Sequence, residues 1–414
     1  MTPAARAQAA IEILDAFRPD LPGGDQMDRR LVAWGRRSRF AGSGDRAAVA
    51  DLVYAALRRW RSLAWPQFPG ETAAPAGARA RLLALAAEEG SPDRLFSGAG
   101  HAPPPPTQAE RAWLARRDAE GLTQAPEAVR LDLPDWLVAP MRESLGEATG
   151  PALAALTGRA PLDLRVNRLR ATPGAARAAL AAEGIEAEPV ALCGPAGAGF
   201  PALPDALRVT SGARALRRAA AYLDGSVEIQ DLSSQAVAAF AAARPGERAL
   251  DFCAGGGGKA LALAAAMEGR GEVWAHDGDP RRMADLPARA ERAGARIRRV
   301  EDPAEVPPCD LVLVDAPCSG SGAWRRNPDA KWGFGPGDLA ALVRVQAEIL
   351  DRAADRVAPG GRLVYATCSL LDAENRAQAR AFAARRPDFA PEGEMILTPL
   401  NGGDGFYAAR FRRT

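Results

Sequence analysis

Leu311-Val312-Leu313-Val314-Asp315-Ala316-Pro317-Cys318-Ser319-Gly320 reads as a strand followed by its exit loop. The first four residues are apolar and rich in β-branching, the mark of a strand buried on both faces. A carboxylate, Asp315, closes the strand, and a thiol, Cys318, follows three residues on. A second stretch repeats the pattern: Arg362-Leu363-Val364-Tyr365-Ala366 runs into Thr367-Cys368-Ser369. In an open parallel sheet, ligands bind beyond the carboxyl ends of the strands. Both thiols and Asp315 therefore fall where chemistry belongs. A lone cysteine would read as a small buried hydrophobe. Two at strand ends, one beside a carboxylate, read as catalytic candidates.

Outward from these runs the pattern alternates. Strands are expected at 248–252, 272–276, 296–300, 311–314 and 363–366, with helices around 259–267, 281–293 and 339–356. Pro287 interrupts the second of these helices. A helix at 233–243 precedes the series and a strand at 405–412 ends it. Strand–helix alternation predicts an α/β fold with a doubly wound, mostly parallel sheet. Upstream, a strand at 162–167, a helix at 173–183, a stop at Gly184 and a strand near Ile185 suggest a small α/β module. The N-terminal part reads as helical, with apolar faces at 7–17, after an N-cap at Asp45, and at 79–89. Pro103-Pro104-Pro105-Pro106 marks a loop or stiff linker. The expected division is a helical domain at 1–130, a small α/β module at 131–222 and the doubly wound domain at 223–414. The tip Arg58-Arg59-Trp60-Arg61 fits either a solvated helix end favoured by the dipole or a phosphate-contacting face.

The totals narrow the class. The chain has 414 residues, 47% apolar and 25% charged, with a net charge of +2. These are the values of an ordinary globular protein, with no global basic field. No run is long enough to span a bilayer and no secretory signal is visible, so a cytoplasmic protein with no membrane partner is expected. The five cysteines show no disulfide spacing, which favours reduced thiols. No Cys-x-x-Cys pair or histidine cluster suggests a metal. Of the 53 cationic residues only Lys259 and Lys331 are lysines. Both fall inside segments singled out here, a mild pointer that these positions need a compact ammonium.

Asp251-Phe252-Cys253-Ala254-Gly255-Gly256-Gly257-Gly258-Lys259 follows the first strand of the doubly wound region and opens a helix. Glycines let backbone approach a ligand that a Cβ would exclude. Lys259 is followed by Ala260, so this is no Walker loop. Asp277, ending the next strand, can accept hydrogen bonds from a ribose diol. Together they read as a nucleoside-cofactor site, and NAD and S-adenosylmethionine both fit. The paired thiols favour the latter. Cytosine C5 is a poor nucleophile, but a thiolate added at C6 makes C5 enamine-like and able to attack a methyl sulfonium. A carboxylic acid near N3, the place of Asp315, would favour the addition if its pKa were raised.

These residues resemble the bacterial 16S ribosomal RNA cytosine-5 methyltransferases of the Fmu/Sun type, within the RNA m5C methyltransferase family. The resemblance rests on Gln230-Asp231-Leu232-Ser233-Ser234-Gln235, the loop 253–259, the segment 315–320, Arg325-Arg326-Asn327-Pro328-Asp329-Ala330-Lys331-Trp332, Pro359-Gly360-Gly361, Thr367-Cys368-Ser369 with Glu374-Asn375, and Asp404-Gly405-Phe406. It implies a Rossmann-like class I methyltransferase domain. Arg165-Val166-Asn167 lies in a stretch similar to the family's small RNA-binding module, and the helical N-terminus resembles its NusB-like domain. By resemblance, Cys368 would be the nucleophile, and Cys318 would assist breakdown of the adduct. Asp315 would touch the base and lie near the cofactor methyl. Cys253, Ala254, Gly255, Gly256, Gly257, Gly258, Lys259, Asp277 and Asp302 would hold S-adenosylmethionine. Lys259 and Lys331 would line the base pocket, and Arg165 and Asn167 would meet RNA. The target base must be unstacked or single-stranded.

The chain departs from the family's Cys-Ala-Ala-Pro-Gly-Gly-Lys-Thr loop at Gly255, Gly256 and Ala260. Four consecutive glycines have more entropy to lose on ordering. The expected activity is methylation of small-subunit ribosomal RNA by a monomer, with transfer RNA as the alternative substrate. A DNA methyltransferase using Cys318 would leave Cys368 without a role. A non-catalytic ribosome-assembly factor would leave both thiols and Asp315 without one.

Overall fold

The run that opens at Leu311 lies within a seven-stranded sheet in the computed structural model, which describes residues 1–18, 26–66, 77–194 and 199–414. The strands, in chain order, are β1 Asp163–Val166, β2 Ala187–Pro189, β3 Ala206–Val209, β4 Val227–Ile229, β5 Arg248–Asp251 and β6 Glu272–Ala275. They continue with β7 Ile297–Arg299, β8 Cys309–Asp315, β9 Val357–Thr367, β10 Phe389–Leu397 and β11 Phe406–Arg413. The large sheet has the order β10-β11-β9-β8-β5-β6-β7. Its five strands from β9 to β7 are parallel, and β11 and β10 are antiparallel additions at one edge. β1 to β4 form a separate antiparallel sheet of order β2-β3-β1-β4.

The composition of the central strands follows from this burial. Leu311 and Leu313 face one apolar cluster with Ala249, Val364 and Ala366. Val312 and Val314 face a second cluster with Leu250, Leu363 and Tyr365. Because both faces are covered, every position is apolar and no alternation is visible. The fold reading is thereby met: the sheet is doubly wound and mostly parallel. Among the elements not foreseen are the helices Met27–Arg37, Gln108–Glu120 and Arg376–Arg385 and the strands β3 and β10. The expected helix at 281–293 is a 3-10 turn, Pro280–Met283, and a separate helix, Leu286–Ala293, with Pro287 in its first turn. Proline fits there because that N–H would have no helical partner.

Packing divides the chain into Met1–Arg159 with Trp324–Pro336, and Ala160–Ala323 with Gly337–Thr414. The second unit holds both sheets. In the first unit the regular elements among the described residues are helices, and Ile11, Leu14, Val49, Val53, Leu57, Leu83 and Trp113 build its core. Residues 131–159, expected with the α/β module, pack with this helical unit. The helix Ser43–Arg58 starts before Asp45, which caps it from inside the first turn by accepting from Gly42 N at 3.2 Å. Within the helical unit the arginines of the basic tip are engaged by partners. Arg59 pairs with Glu88, Arg61 with Asp135, and Arg58 donates to the Arg325 carbonyl at 2.7 Å. Among the described residues, no helix is long and apolar enough to cross a membrane.

Candidate active site

β8 and β9 are parallel neighbours, with Asp315 in register with Ala366. Their exit loops leave the sheet side by side, and Gly322 N donates to the Cys368 carbonyl at 2.9 Å. This brings the two thiols together: Cys318 Sγ lies 3.4 Å from Cys368 Sγ. The neighbouring Cys368 sulfur, reinforced by burial, pushes the Cys318 thiol well above its ordinary pKa. Either sulfur can act as donor to the other at this distance.

Lys259, in the first turn of the helix Gly258–Ala266, reaches the same place from β5. Its ammonium donates to Asp315 Oδ2 at 2.6 Å and lies 5.1 Å from the centre of the Phe406 ring. Burial alone would lower the Lys259 pKa. The Asp315 charge outweighs it, with smaller help from Asp251 and Cys368, and the pKa rises. Asp315 therefore accepts from an ammonium, which ties it to Lys259. The proton donor in this cluster is Lys259.

The glycine loop needs its glycines at two points. Gly255 and Gly257 have φ of 51° and 80°, and a Cβ on Gly257 would lie 2.2 Å from Leu286 Cδ1. Asp277 Oδ2 accepts from Gly255 N at 2.8 Å, so this carboxylate shapes the loop directly. Arg282 lies 3.4 Å from Asp277, and Arg289 donates to the Gly256 carbonyl while its other nitrogen meets Glu228 at 2.9 Å. Cys253 is mostly enclosed, and burial pushes its thiol up. Beneath the loop, both Asp251 oxygens are buried with no hydrogen-bond partner among the described residues. Burial, with the Asp315 charge adding to it, pushes the Asp251 carboxyl up to about 7. Asp251 was quoted in the sequence reading only as the head of the loop. Its signal, an acid at a strand's carboxyl end, was available.

Asp302, beyond β7, is exposed and its Oδ1 accepts from Ala304 N at 2.9 Å. Three further expected residues have partners within their own units. Asn167 is buried and fully used, donating to the carbonyls of Gly225 and Ala293 at 2.9 and 2.8 Å and accepting from Leu169 N. Arg165 is also interior, with Nε donating to Gln230 Oε1 at 2.7 Å. Both fasten this stretch to its surroundings, and Arg165 also lines a small cavity with Arg168, Leu203 and Gln235. Lys331 belongs to the helical unit, where its ammonium reaches the Arg58 carbonyl at 3.4 Å. Burial lowers its pKa to about 8. No group of three metal-ligating side chains occurs among the described residues.

Residues 238–412 match the family model for 16S rRNA methyltransferase RsmB/F, and residues 133–196 match the RsmF/B-like ferredoxin-like domain. Ribosomal RNA small subunit methyltransferase B of Salmonella arizonae is 36% identical over 293 residues, 67% of this chain. The match takes in 65% of that relative's length. The crystal structure of PH0851 superposes with a TM-score of 0.72 at 22% identity, covering 100% of this chain and 99% of that one. A methyltransferase homolog protein from Pyrococcus horikoshii gives 0.59 at 22% identity, covering 69% of this chain and 97% of its own. The two structural matches speak for the fold alone.

Proposed function

The chain belongs to the 16S rRNA methyltransferase RsmB/F family, and from that premise we propose that it transfers a methyl group from S-adenosylmethionine to C5 of a cytosine in small-subunit ribosomal RNA. The observation that carries the reading is the pair of thiols 3.4 Å apart beside the Lys259–Asp315 ion pair. A binding protein has no use for two adjacent nucleophiles next to a proton donor.

The residues fit the cofactor. Asp251 is a buried carboxylate left without a partner among the described residues, the group expected where a cation is to bind. Residues 253–258 supply backbone that only glycine-rich sequence can shape, and Asp277 fixes it. Asp302, beyond the end of β7, would meet the adenine end of the cofactor. When bound, S-adenosylmethionine supplies an electrophilic methyl group.

The chain's own residues do the rest. Cys368, as thiolate, adds to C6 of an unstacked cytosine, and Lys259 donates to the ring as negative charge develops. Asp315 holds that ammonium in place. After methyl transfer the C5 proton passes to a base and the C6–S bond breaks. Cys318 is within reach of the departing sulfur and can pass it a proton. Excluding RNA from the cluster would stop the reaction before any thiol acts.

The test is methyl transfer from labelled cofactor to unmodified small-subunit ribosomal RNA, with products also run on a denaturing protein gel. Cys368→Ala should abolish transfer. Cys318→Ala should slow turnover by about 10²–10⁴-fold, the usual worth of a proton-transfer group, and accumulate a covalent protein–RNA band. Transfer by Cys368→Ala at the wild-type rate would overturn the assignment. Transfer RNA run in parallel decides the substrate.

A further inference from the structure

Glu374 stands in the motif that follows Cys368 and has no part in the chemistry above. Its side chain is fully buried. A carboxylate holds such a place only when its oxygens are met. Four donors from three segments meet them. The Ser319 N–H at 2.8 Å and the Ser319 hydroxyl at 2.5 Å come from the loop after β8. The Ser369 hydroxyl at 2.5 Å comes from the loop after β9. Gln346 Nε2 at 3.0 Å comes from the helix Pro336–Ala354. Ser319 directly follows Cys318, and Ser369 directly follows Cys368. Gln346 also donates to the carbonyl of Pro317, the residue before Cys318, at 2.9 Å. Ser321 fills the remaining gap, with Oγ 3.1 Å from both Ser319 Oγ and Ser369 Oγ.

One buried carboxylate thus grips the residue after each thiol. The direct contact between the sulfurs is weak by comparison, because a thiol is a poor donor and a poor acceptor. Hydrogen bonds to an ionised acceptor are shorter and about twice as strong as neutral ones. The backbone bond from Gly322 N to the Cys368 carbonyl also joins the loops but does not hold Cys318 itself, and a reacting group displaced by about 1 Å can lose ~10²-fold in rate. We propose that Glu374 is a positioning residue: its carboxylate latches the loops after β8 and β9 so that Cys318 stays within reach of Cys368. The inference rests on the roles assigned to the two thiols above.

The test uses the full chain with Glu374→Gln, which keeps the shape but loses the charge and one acceptor. Ser319→Ala and Ser369→Ala each remove one arm. The first readout needs neither RNA nor cofactor. Diamide, an azo oxidant, takes both thiol hydrogens across its N=N bond and joins the sulfurs as a disulfide, so the rate of 318–368 cross-linking reports their spacing. The second readout is steady-state methyl transfer. Glu374→Gln should cross-link about tenfold more slowly than wild type, as for loss of a charge-assisted bond. Its kcat should fall by about 10–100-fold, with the cofactor KM nearly unchanged. Glu374→Asp should recover part of both. Wild-type cross-linking in Glu374→Gln and in both serine variants would overturn the latch. If Glu374→Gln fails to fold, the serine variants decide the same point. Slowed cross-linking in a chain whose wild type methylates no RNA would support the latch and remove the proposed function.

Discussion

Asp251 shows how one residue can carry a pH signature. Its carboxyl is raised from 3.8 to about 7, first by burial and then by the Asp315 charge, with Lys259 opposing. An acid with a raised folded pKa holds its proton more tightly folded than unfolded. Its penalty is absent below the unfolded value, grows as pH rises from there to about 7, and is constant above. Asp251→Asn removes the charge. The variant should gain stability over wild type on going from pH 5 to pH 8, by on the order of 2 kcal/mol. Denaturant midpoints at the two pH values check this, and a difference independent of pH would sink the idea. The same variant should bind S-adenosylmethionine more weakly. At this scale the sequence was readable where a residue's neighbours in the chain determine its place. Cys318, Cys368 and Asp315 follow strand ends and were legible. Lys259 was legible as a site residue, but its ion pair with Asp315 joins two separate strands. Asn167 looked like a ligand-facing residue because nothing in the sequence says that two carbonyls 58 and 126 positions away will occupy its amide. Glu374 was quoted without a role for the same reason.

Among the elements, the cofactor loop raises the sharpest question. Four glycines in a row are expensive to order, yet this loop is pinned at its first two glycines. Asp277 holds Gly255 N, and Arg289 holds the Gly256 carbonyl while anchored to Glu228. A Cβ on Gly256 would meet Arg289 Nη1 at 3.1 Å and nothing else within 4 Å. Arg289 thus occupies the space that a side chain at 256 would fill. Arg289→Ala should weaken S-adenosylmethionine binding by about three- to tenfold, the worth of one net hydrogen bond, measured by calorimetry. Amide exchange across 253–258 should quicken in the cofactor-free chain. Adding Gly256→Ala should restore part of the affinity, because that residue is outside the left-handed region and Ala narrows the unfolded ensemble. Unchanged affinity in Arg289→Ala would show that the loop stiffens without it. The strands of the parallel core were legible because apolar residues fill both faces. β10 was not: its Glu392 and Glu394 pair with Arg410, Arg412 and Arg376, so its middle reads as a polar loop. Only pairing with β11 makes it a strand.

In the whole molecule, the chain leaves the sheet-bearing unit at Trp324 and returns to it after Pro336. That excursion is part of the helical unit's interior. Trp324 is buried, Trp332 packs against the helical core, and the Trp332 indole donates to the Leu57 carbonyl at 2.8 Å. Asp329 accepts from Met27 N at 3.0 Å. The family resemblance counted 325–332 among its motifs and gave Lys331 to the base pocket; within the helical unit the segment also has a packing role. A cut at 159/160, where the first stretch of the helical unit ends, would therefore strand this segment. Residues 160–414 expressed alone would expose both tryptophans, and contiguous apolar surface of that kind drives association. Each large side chain left in water forfeits about 1.5–3 kcal/mol of burial. The fragment should bind a hydrophobic dye and aggregate on warming. Replacing 324–336 by a Gly/Ser stretch of equal length should suppress both, because the ends are already held in the sheet-bearing unit. If the unmodified fragment stays monomeric and dye-free to the same temperature as the replaced one, the segment does not depend on the helical core. Its apolar residues would then need another account.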